Sequence, residues 1–266
     1  MDPFLGFIVE LSDEEISSWV SRYLWPFFRI AGFFMVMPLF GTRLVTQRIR
    51  LLLAAFTALV ITPVLPPMPS IDALSMATMI IIAQQIMIGV ALGFALEILM
   101  NIFIMSGQMV AMQTGLGMAQ MVDPSNGVNV AVVAQWFLIF VNLLFIMLNG
   151  HLVAIEILAD SFFTMPVGAG FLDSDTLYGI AKLGQWLFAA AIVLALPAIT
   201  AMLVVNIAFG VMARLAPQLN IFAVGFPVTM MLGLIVIWIT FSAYGNHFQG
   251  LLSELFQFMR SYKLTT

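Results

Sequence analysis

Three carboxylates stand inside long apolar stretches of the sequence and could form a site for a proton or a cation. Glu156 and Asp160 are four residues apart, so they share one face of a helix. A loop signal at Met165-Pro166 follows closely, which favours the plainer interpretation that the pair marks a helix end at a membrane interface. Glu97 stands alone, and we expect it to be paired within an assembly or to lie outside the bilayer.

The side chains that most enzymes use are scarce. The chain has no cysteine, which excludes disulfides, thiolate metal sites and a cysteine nucleophile. His151 and His247 are the only histidines, and neither occurs in a ligand spacing such as H-E-x-x-H. His151 follows Asn149-Gly150, near a predicted helix break. No Ser/His/Asp arrangement, phosphate loop or redox motif is present. We therefore expect no enzymatic activity, no cofactor and no bound metal.

Glycine and methionine are concentrated in residues 105–127, which read MSGQMVAMQTGLGMAQMVDPSNG. We name residues 106–127 the Gly/Met segment. Small residues recur at every fourth position: Gly107, Ala111, Gly115 and Ala119. Methionines are dense in the same stretch, although the whole chain of 266 residues has only 20: Met105, Met109, Met112, Met118 and Met121. On a helix, the small residues would form a stripe that lets another backbone approach closely.

The second half of the Gly/Met segment carries helix-breaking residues, and we expect a flexible tip there. Gly115, Gly117 and the run from Asp123 to Gly127 favour turns. Irregular backbone would leave polar groups unpaired in lipid, so this stretch should be buried in protein or line an aqueous path. Methionine is flexible and polarizable, so a cluster of it can seal a passage and still deform. An ordinary helix–loop junction accounts for the same composition.

The elements that must position these residues are membrane helices, because the chain has too little charge to cover a water-soluble domain. Charged residues make up 8% and hydrophobic residues 62%. No charged residue occurs between Asp123 and Glu156, or between Arg214 and Glu254. We predict an all-α polytopic membrane protein with a single domain over residues 1–266. The net charge of -4 gives no indication of a nucleic-acid partner.

The apolar tracts have uneven lengths. They cover residues 19–40, 51–66, 73–105, 128–163, 180–213 and 221–247. As helices, the second would be about 24 Å long and the third about 50 Å, whereas the hydrocarbon core is about 30 Å thick. A simple bundle of matched spans therefore fits poorly. Long tracts either break at glycines or leave the bilayer and bury apolar surface against partner chains.

Basic residues and prolines bear on the topology. The first linker carries arginines at three positions: Arg43, Arg48 and Arg50. The positive-inside rule places this linker in the cytoplasm and the N-terminus outside. Lys182 and Arg214 flank opposite ends of the fifth tract, so either the tract turns back at Pro197 or one cation faces outside. We favour a kink at Pro197. Residues 248–263 predict an amphipathic helix that lies on an interface or docks on a partner.

Four stretches of the sequence resemble the flagellar biosynthetic protein FliR family, in the order and at the length typical of that family. They are residues 212–222 followed by Gly225-Phe226-Pro227, residues 29–38 with Gly41, residues 107–124, and Asn149-Gly150-His151. The first stretch, which reads MARLAPQLNIF, and the Gly-Phe-Pro that follows it favour the flagellar branch over relatives in virulence-type secretion systems.

The resemblance implies an export-gate subunit of a type III secretion system. Such a subunit would lie in the bacterial inner membrane at the flagellar basal body, with parts on the periplasmic side. Residues 1–179 resemble FliP, and residues 180–266 resemble a FliQ hairpin that ends in the amphipathic helix. Long, broken helices would pack with FliP-like and FliQ-like subunits into a helical hetero-oligomeric gate, which works with FlhA and FlhB. Unfolded flagellar proteins would pass through its lumen.

The resemblance also implies roles for particular residues. The Gly/Met segment would plug the closed lumen through one set of residues: Gly107, Met109, Met112, Gly115, Gly117, Met118, Met121, Asp123 and Pro124. Its glycines would give close packing and hinge freedom, its methionines the seal, and Asp123-Pro124 a cap for the returning helix. A second set would serve assembly or the hairpin turn: Arg214, Pro217, Gln218, Asn220, Gly225 and Pro227.

Two other functions are compatible with parts of the sequence. A secondary transporter or small-ion channel would use Glu97 or the Glu156/Asp160 pair, although no convincing internal repeat is present. A purely structural scaffold would need no moving part, and it should tolerate leucine in place of the segment's methionines.

Overall fold

The computed structural model describes residues 13–42, 44–69, 75–123, 127, 129–215 and 221–262, and the description below concerns these residues. They form seven α-helices and one two-stranded antiparallel sheet. The helices are α1 (Asp13–Val36), α2 (Gln47–Ile61), α3 (Met76–Gln113), α4 (Val132–Met147), α5 (Gly150–Thr164), α6 (Ser174–Leu215) and α7 (Ile221–Arg260). The strands are β1 (Gln120–Val122) and β2 (Asn129–Ala131). The predicted all-α class is confirmed.

Helix lengths are as uneven as the apolar tracts predict. Among the described residues, four helices are long and apolar enough to cross a membrane: α2 with the 3-10 turn that follows it, α3, α6 and α7. The shortest of these spans has 18 residues and the longest has 42. Helices α4 and α5 are bent by 67° at a short break and make a fifth span when they are counted as one. The first tract forms α1, which is not among these spans.

Helix α3 is the centre of the molecule, because α1, α4, α6 and α7 all pack against it. Its sequence is apolar on every side rather than amphipathic, which is the pattern of a helix surrounded by protein. Leu92, Ala95, Leu96 and Leu99 are fully buried along its length. Between membrane helices, the van der Waals contacts of such closely packed side chains are a main favourable term.

Helices α1 and α3 touch backbone to backbone through glycines. A β-carbon placed at Gly89 would overlap the carbonyl oxygen of Arg29, and one placed at Gly93 would lie 2.8 Å from the carbonyl oxygen of Phe33. No side chain fits at either position without moving the helices apart. Small residues four positions apart on one helical face allow this close approach of two helices.

Arg29 is fully buried and caps the end of α5. Its Nη1 donates to the carbonyl oxygen of Ser161 at 2.8 Å, and its Nη2 donates to that of Met165 at 2.8 Å. Its Nε donates to Oε1 of Gln85 at 2.8 Å, and the ring centroid of Phe162 lies 4.0 Å from the guanidinium carbon. The last carbonyls of a helix carry partial negative charge. These carbonyl oxygens take the place of a carboxylate as the partner of Arg29. Among the described residues, no carboxylate lies within ion-pair distance of its guanidinium.

The break between α4 and α5 falls at Asn149, which has a left-handed backbone conformation with φ of 55°. The sequence Asn149-Gly150 predicted a break here, because these two residue types adopt positive φ at low cost. The bend turns α5 across the bundle, where it contacts the end of α7. Glu156 of α5 and Arg260 of α7 form an ion pair of 2.9 Å at that contact.

Helices α6 and α7 form a long hairpin. Helix α6 continues without reversal through Pro197, so the alternative in which the chain turns back at that residue is wrong. The amphipathic tail is the last part of α7 rather than a separate helix. Its apolar face is buried at these positions: Phe248, Leu252, Leu255 and Met259. The tail therefore docks on its own chain, not on an interface or a partner.

Candidate functional site

The Gly/Met segment begins as the last two turns of α3 and leaves the helix at a defined point. Helix α3 ends at Gln113, and the hydroxyl of Thr114 donates to the carbonyl oxygen of Val110 at 2.9 Å. Gly115 follows with φ of 77°, a left-handed conformation that glycine adopts readily at a helix C-terminus. The predicted stripe of small residues thus shares a helical face only as far as Ala111.

Within the helix, the small residues bring α3 and α4 together. A β-carbon at Gly107 would lie 2.7 Å from the Cα of Ala134 and 2.9 Å from the ring of Phe137. Ala111 packs with Ala131 and Ala134 in a separate small cluster of buried residues. The expected close-packing function of Gly107 agrees with this geometry, and its partner is α4, the helix to which the segment returns.

Beyond the helix, the segment forms the first strand of a β-hairpin, whose second strand follows it, instead of the irregular tip that its composition predicted. A 3-10 turn over Leu116–Met118 precedes β1, which pairs with β2. The paired residues are Gln120 with Ala131, Met121 with Val130, and Val122 with Asn129. The N–H of Val132 also donates to the carbonyl oxygen of Ala119 at 3.0 Å. Pairing between the strands therefore satisfies backbone polar groups inside the segment itself, which an irregular tip would leave unpaired away from water.

Asp123 does not cap the returning helix as expected. The N-cap position of α4 is held by Ala131, whose side chain makes no capping hydrogen bond. Asp123 is instead buried at the end of β1, and its carbonyl oxygen accepts the N–H of Gly127 at 2.7 Å. It closes the tip of the hairpin because the chain returns as a strand before it returns as a helix. Pro124 lies outside the described residues.

The methionines divide into two groups. Met105 and Met109 are half-buried and pack against the main core. Three others are exposed, with 75% exposure for Met112, 87% for Met118 and 41% for Met121. Met112 lies at the end of α3, Met118 in the 3-10 turn and Met121 on β1. Together they give a deformable apolar surface that nothing in the described chain covers.

Helix α7 supports the base of the Gly/Met segment. A β-carbon at Gly233 would lie 2.5 Å from the Cβ of Thr114, the first residue after α3. A β-carbon at Gly115 would lie 3.3 Å from the ring of Phe226 and 3.7 Å from the side chain of Met230. Sequence reasoning missed Gly233 and Met230. The only signal was a glycine inside a long apolar tract, which does not identify its neighbour.

The second predicted set of residues is only partly described. Gly225 is buried, whereas Pro227 is exposed within the first turns of α7. Arg214 is exposed near the end of α6. Pro217, Gln218 and Asn220, and likewise Arg43 of the first linker, lie outside the described residues.

The carboxylates do not gather into one site. Asp160 is exposed, and Glu156 is exposed in its ion pair with Arg260, which agrees with a helix end rather than a buried binding site. Glu97 accepts a hydrogen bond of 3.3 Å from Asn101 and lines a cavity of about 200 Å³ with Asn142. Within the part of the chain that the structure describes, Glu97 has no ion-pair partner.

A buried central helix and a long apolar hairpin of α6 and α7 define a polytopic α-helical membrane protein. Residues 20–255 match the family model of bacterial export proteins, family 1, so the chain belongs to that family. The chain is similar to the flagellar biosynthetic protein FliR of Pectobacterium carotovorum subsp. carotovorum, with 35% identity over 92% of this chain and 94% of the relative.

Two further relatives carry the same description. The flagellar biosynthetic protein FliR of Escherichia coli (strain K12) is 33% identical over 95% of this chain and 96% of its own length. That of Bacillus subtilis (strain 168) is 27% identical over 83% of this chain and 86% of its own. The chain therefore belongs to the FliR family of bacterial export proteins, and the predicted resemblance is confirmed.

Proposed function

We propose that this chain is a subunit of the flagellar type III export gate in the bacterial inner membrane, and that its Gly/Met segment plugs the closed lumen. The family supports a role in flagellar export. The observation that carries the finer proposal is the course of the segment. It exposes Met112 at the end of α3, Met118 in the 3-10 turn and Met121 on β1, while its base is packed against α4 and α7. A plug needs both properties, a fixed base and a deformable tip.

The proposed seal follows from the chemistry of methionine. Its unbranched side chain has several rotatable bonds and a polarizable sulfur, so a cluster can fill an irregular gap and repack when a chain passes. Met112, Met118 and Met121 would occupy the lumen and exclude hydrated ions, because desolvating an ion in an apolar constriction is costly. The backbone hydrogen bonds of β1 and β2 would hold the plug together when it moves aside.

Exposed apolar faces support the proposed assembly with FliP-like and FliQ-like subunits, and with FlhA and FlhB. Helices α6 and α7 have large apolar side chains exposed along much of their length: Leu203, Val204, Ile207, Val211, Met231, Leu234, Trp238 and Ile239. The hairpin of 42 and 40 residues is longer than a bilayer core requires. We propose that part of it is buried against partner chains on the periplasmic side of the membrane, and that unfolded flagellar proteins cross beside it.

The test is permeability of membranes that contain the assembled complex. Replacing Met112, Met118 and Met121 with leucine keeps the apolar volume but branches the side chains. We expect a raised leak of small ions and reduced export of flagellar proteins, with normal assembly.

The matched control changes equally exposed methionines elsewhere to leucine, at Met76, Met79 and Met147. This control should leave permeability unchanged. An unchanged leak in the Gly/Met variant as well would favour the structural scaffold over the plug.

The cavity at Glu97 is the observation that favours a small-ion transporter or channel as the second candidate. Its lining combines a carboxylate with the amide of Asn142, and a carboxylate within a membrane helix often marks an ion path. If the export gate is correct, E97Q should leave ion flux through the closed complex unchanged. A specific loss of cation transport in E97Q, with export intact, would support the transporter.

A further inference from the structure

Helix α7 and the first residue of the chain after α3 are in unusually close contact. A β-carbon at Gly233 would lie 2.5 Å from the Cβ and 2.7 Å from the Cγ2 of Thr114. Real β-carbons do not approach this closely, so the backbone of α7 passes directly over Thr114. The side chain of Thr114 is itself fixed, because its hydroxyl donates to the carbonyl oxygens of Val110 and Ala111 at 2.9 and 3.2 Å.

The same face of α7 covers the point at which the chain leaves the helix. Phe226 and Met230 are the nearest side chains to Gly115, whose φ of 77° turns the chain towards the hairpin. Two turns earlier along α3, the hydroxyl oxygens of Ser106 and Tyr244 are 3.4 Å apart. Helix α7 therefore runs antiparallel to the end of α3 and lies against it from Ser106 to Gly115.

From these contacts we propose that Gly233 is a positioning residue for the gate, and that its contact with Thr114 sets the angle at which the Gly/Met segment leaves α3. The inference rests on the proposed plug function. Displacement of α7 at Gly233 would move Thr114 and Gly115 together, because the short side chain of Thr114 packs directly on the backbone of α7. The base of the plug would thus follow the α6–α7 hairpin, whose outer surface is exposed and apolar.

The test adds a methyl group at Gly233 and removes side-chain atoms from Thr114, separately and together. G233A inserts a β-carbon into Thr114, and we expect a several-fold rise in ion leak through the closed complex. T114G removes the Cβ and Cγ2 on the other side and leaves the Cα 3.5 Å from the new atom, which is ordinary contact. The double variant T114G/G233A should therefore restore the seal, whereas T114A/G233A should not, because alanine keeps the Cβ that collides.

G245A on the same helix is the matched control, because nothing lies within 4 Å of a β-carbon there. It should leave the leak unchanged. A purely structural contact would change the amount of complex and not its permeability, so both quantities are measured on each variant.

If G233A assembles poorly, the ion leak of the T114G complex tests the inference by itself, because this variant loosens the contact without adding an atom. We expect T114G to leak, and a sealed T114G would overturn the inference. The inference fails by itself if the methionine-to-leucine variant of the Gly/Met segment leaks while G233A and T114G remain sealed. If none of these variants leaks, the proposed plug fails as well.

Discussion

Two regions of the molecule depend on glycine, but glycine has a different function in each. One is the backbone contact between α1 and α3, here called the α1–α3 seam, and the other is the Gly/Met segment. At Gly89 and Gly93 it removes side-chain volume in the middle of two regular helices, and the backbones lock together. At Gly115 it permits a positive φ that ends α3 and releases the chain into a hairpin. One region is a close contact between two regular helices, and the other is a point at which the chain leaves a helix. The same residue type therefore gives rigidity or freedom according to what surrounds it.

The largest effect is expected where the seam is tightest. G89A would force a methyl group into the carbonyl oxygen of Arg29, and overpacking against backbone should cost about 3 kcal/mol, the upper end for such changes. We expect a strongly lowered melting temperature in detergent and little accumulated complex. G184A is the control, since a β-carbon there meets nothing within 4 Å. Equal stability of the two variants would contradict a rigid seam.

Removing the buried cation should have the next largest effect. R29M keeps the bulk of the side chain but leaves the carbonyl oxygens at the end of α5 and the amide of Gln85 without their donor. Each buried acceptor left without its donor costs about 1–3 kcal/mol. Removing the guanidinium also removes the cost of burying its charge, so the net loss of stability should be smaller than that of G89A. R29K should be intermediate, because an ammonium group cannot match the guanidinium fork. Thermal unfolding of the purified proteins measures the stability of both variants. An R29M protein as stable as R29K would count against the capping role of Arg29.

At Gly107 we expect a smaller loss of stability than at Gly89 but a larger change in function. Gly107 lies within the Gly/Met segment and brings the backbones of α3 and α4 into close contact, as Gly89 does for α1 and α3. G107A should cost about 1–2 kcal/mol. This is less than the cost of G89A, because the new β-carbon lies 2.7 Å from the Cα of Ala134, a shallower overlap than that with the carbonyl oxygen of Arg29. Separation of α3 from α4 should also raise the ion leak. G210A, whose site is open, serves as the control. A leak no greater than that of G210A would show that the α3–α4 contact does not fix the segment.

The smallest effect is expected at the surface ion pair. E156Q breaks the contact with Arg260, and because both side chains are more than half exposed, the cost should be about 0–1 kcal/mol. Measuring the melting temperature at low and high salt tests this, since salt screens exposed charges. A large, salt-independent loss would mean that α5 depends on this pair more than on the cap from Arg29.

The sequence by itself determined the local elements of this protein. Long tracts without charge predicted membrane helices of uneven length, Asn149-Gly150 predicted the break before α5, and the spacing from Phe248 to Met259 predicted the buried face at the end of α7. These signals are readable because periodicity and backbone preference act within a few residues. The resemblance to the FliR family rested on similar short stretches, and the full-length similarity agrees with it.

Only the tertiary structure decided which of these elements meet. Arg29 finds its acceptors 132 positions along the chain, and Gly233 finds Thr114 on another helix. Asp123 was expected to begin a helix but closes a hairpin, because the pairing of β1 with β2 outweighs the local capping preference. Contacts of this kind depend on how whole helices pack, and packing is set by the shapes of many side chains at once rather than by any short pattern.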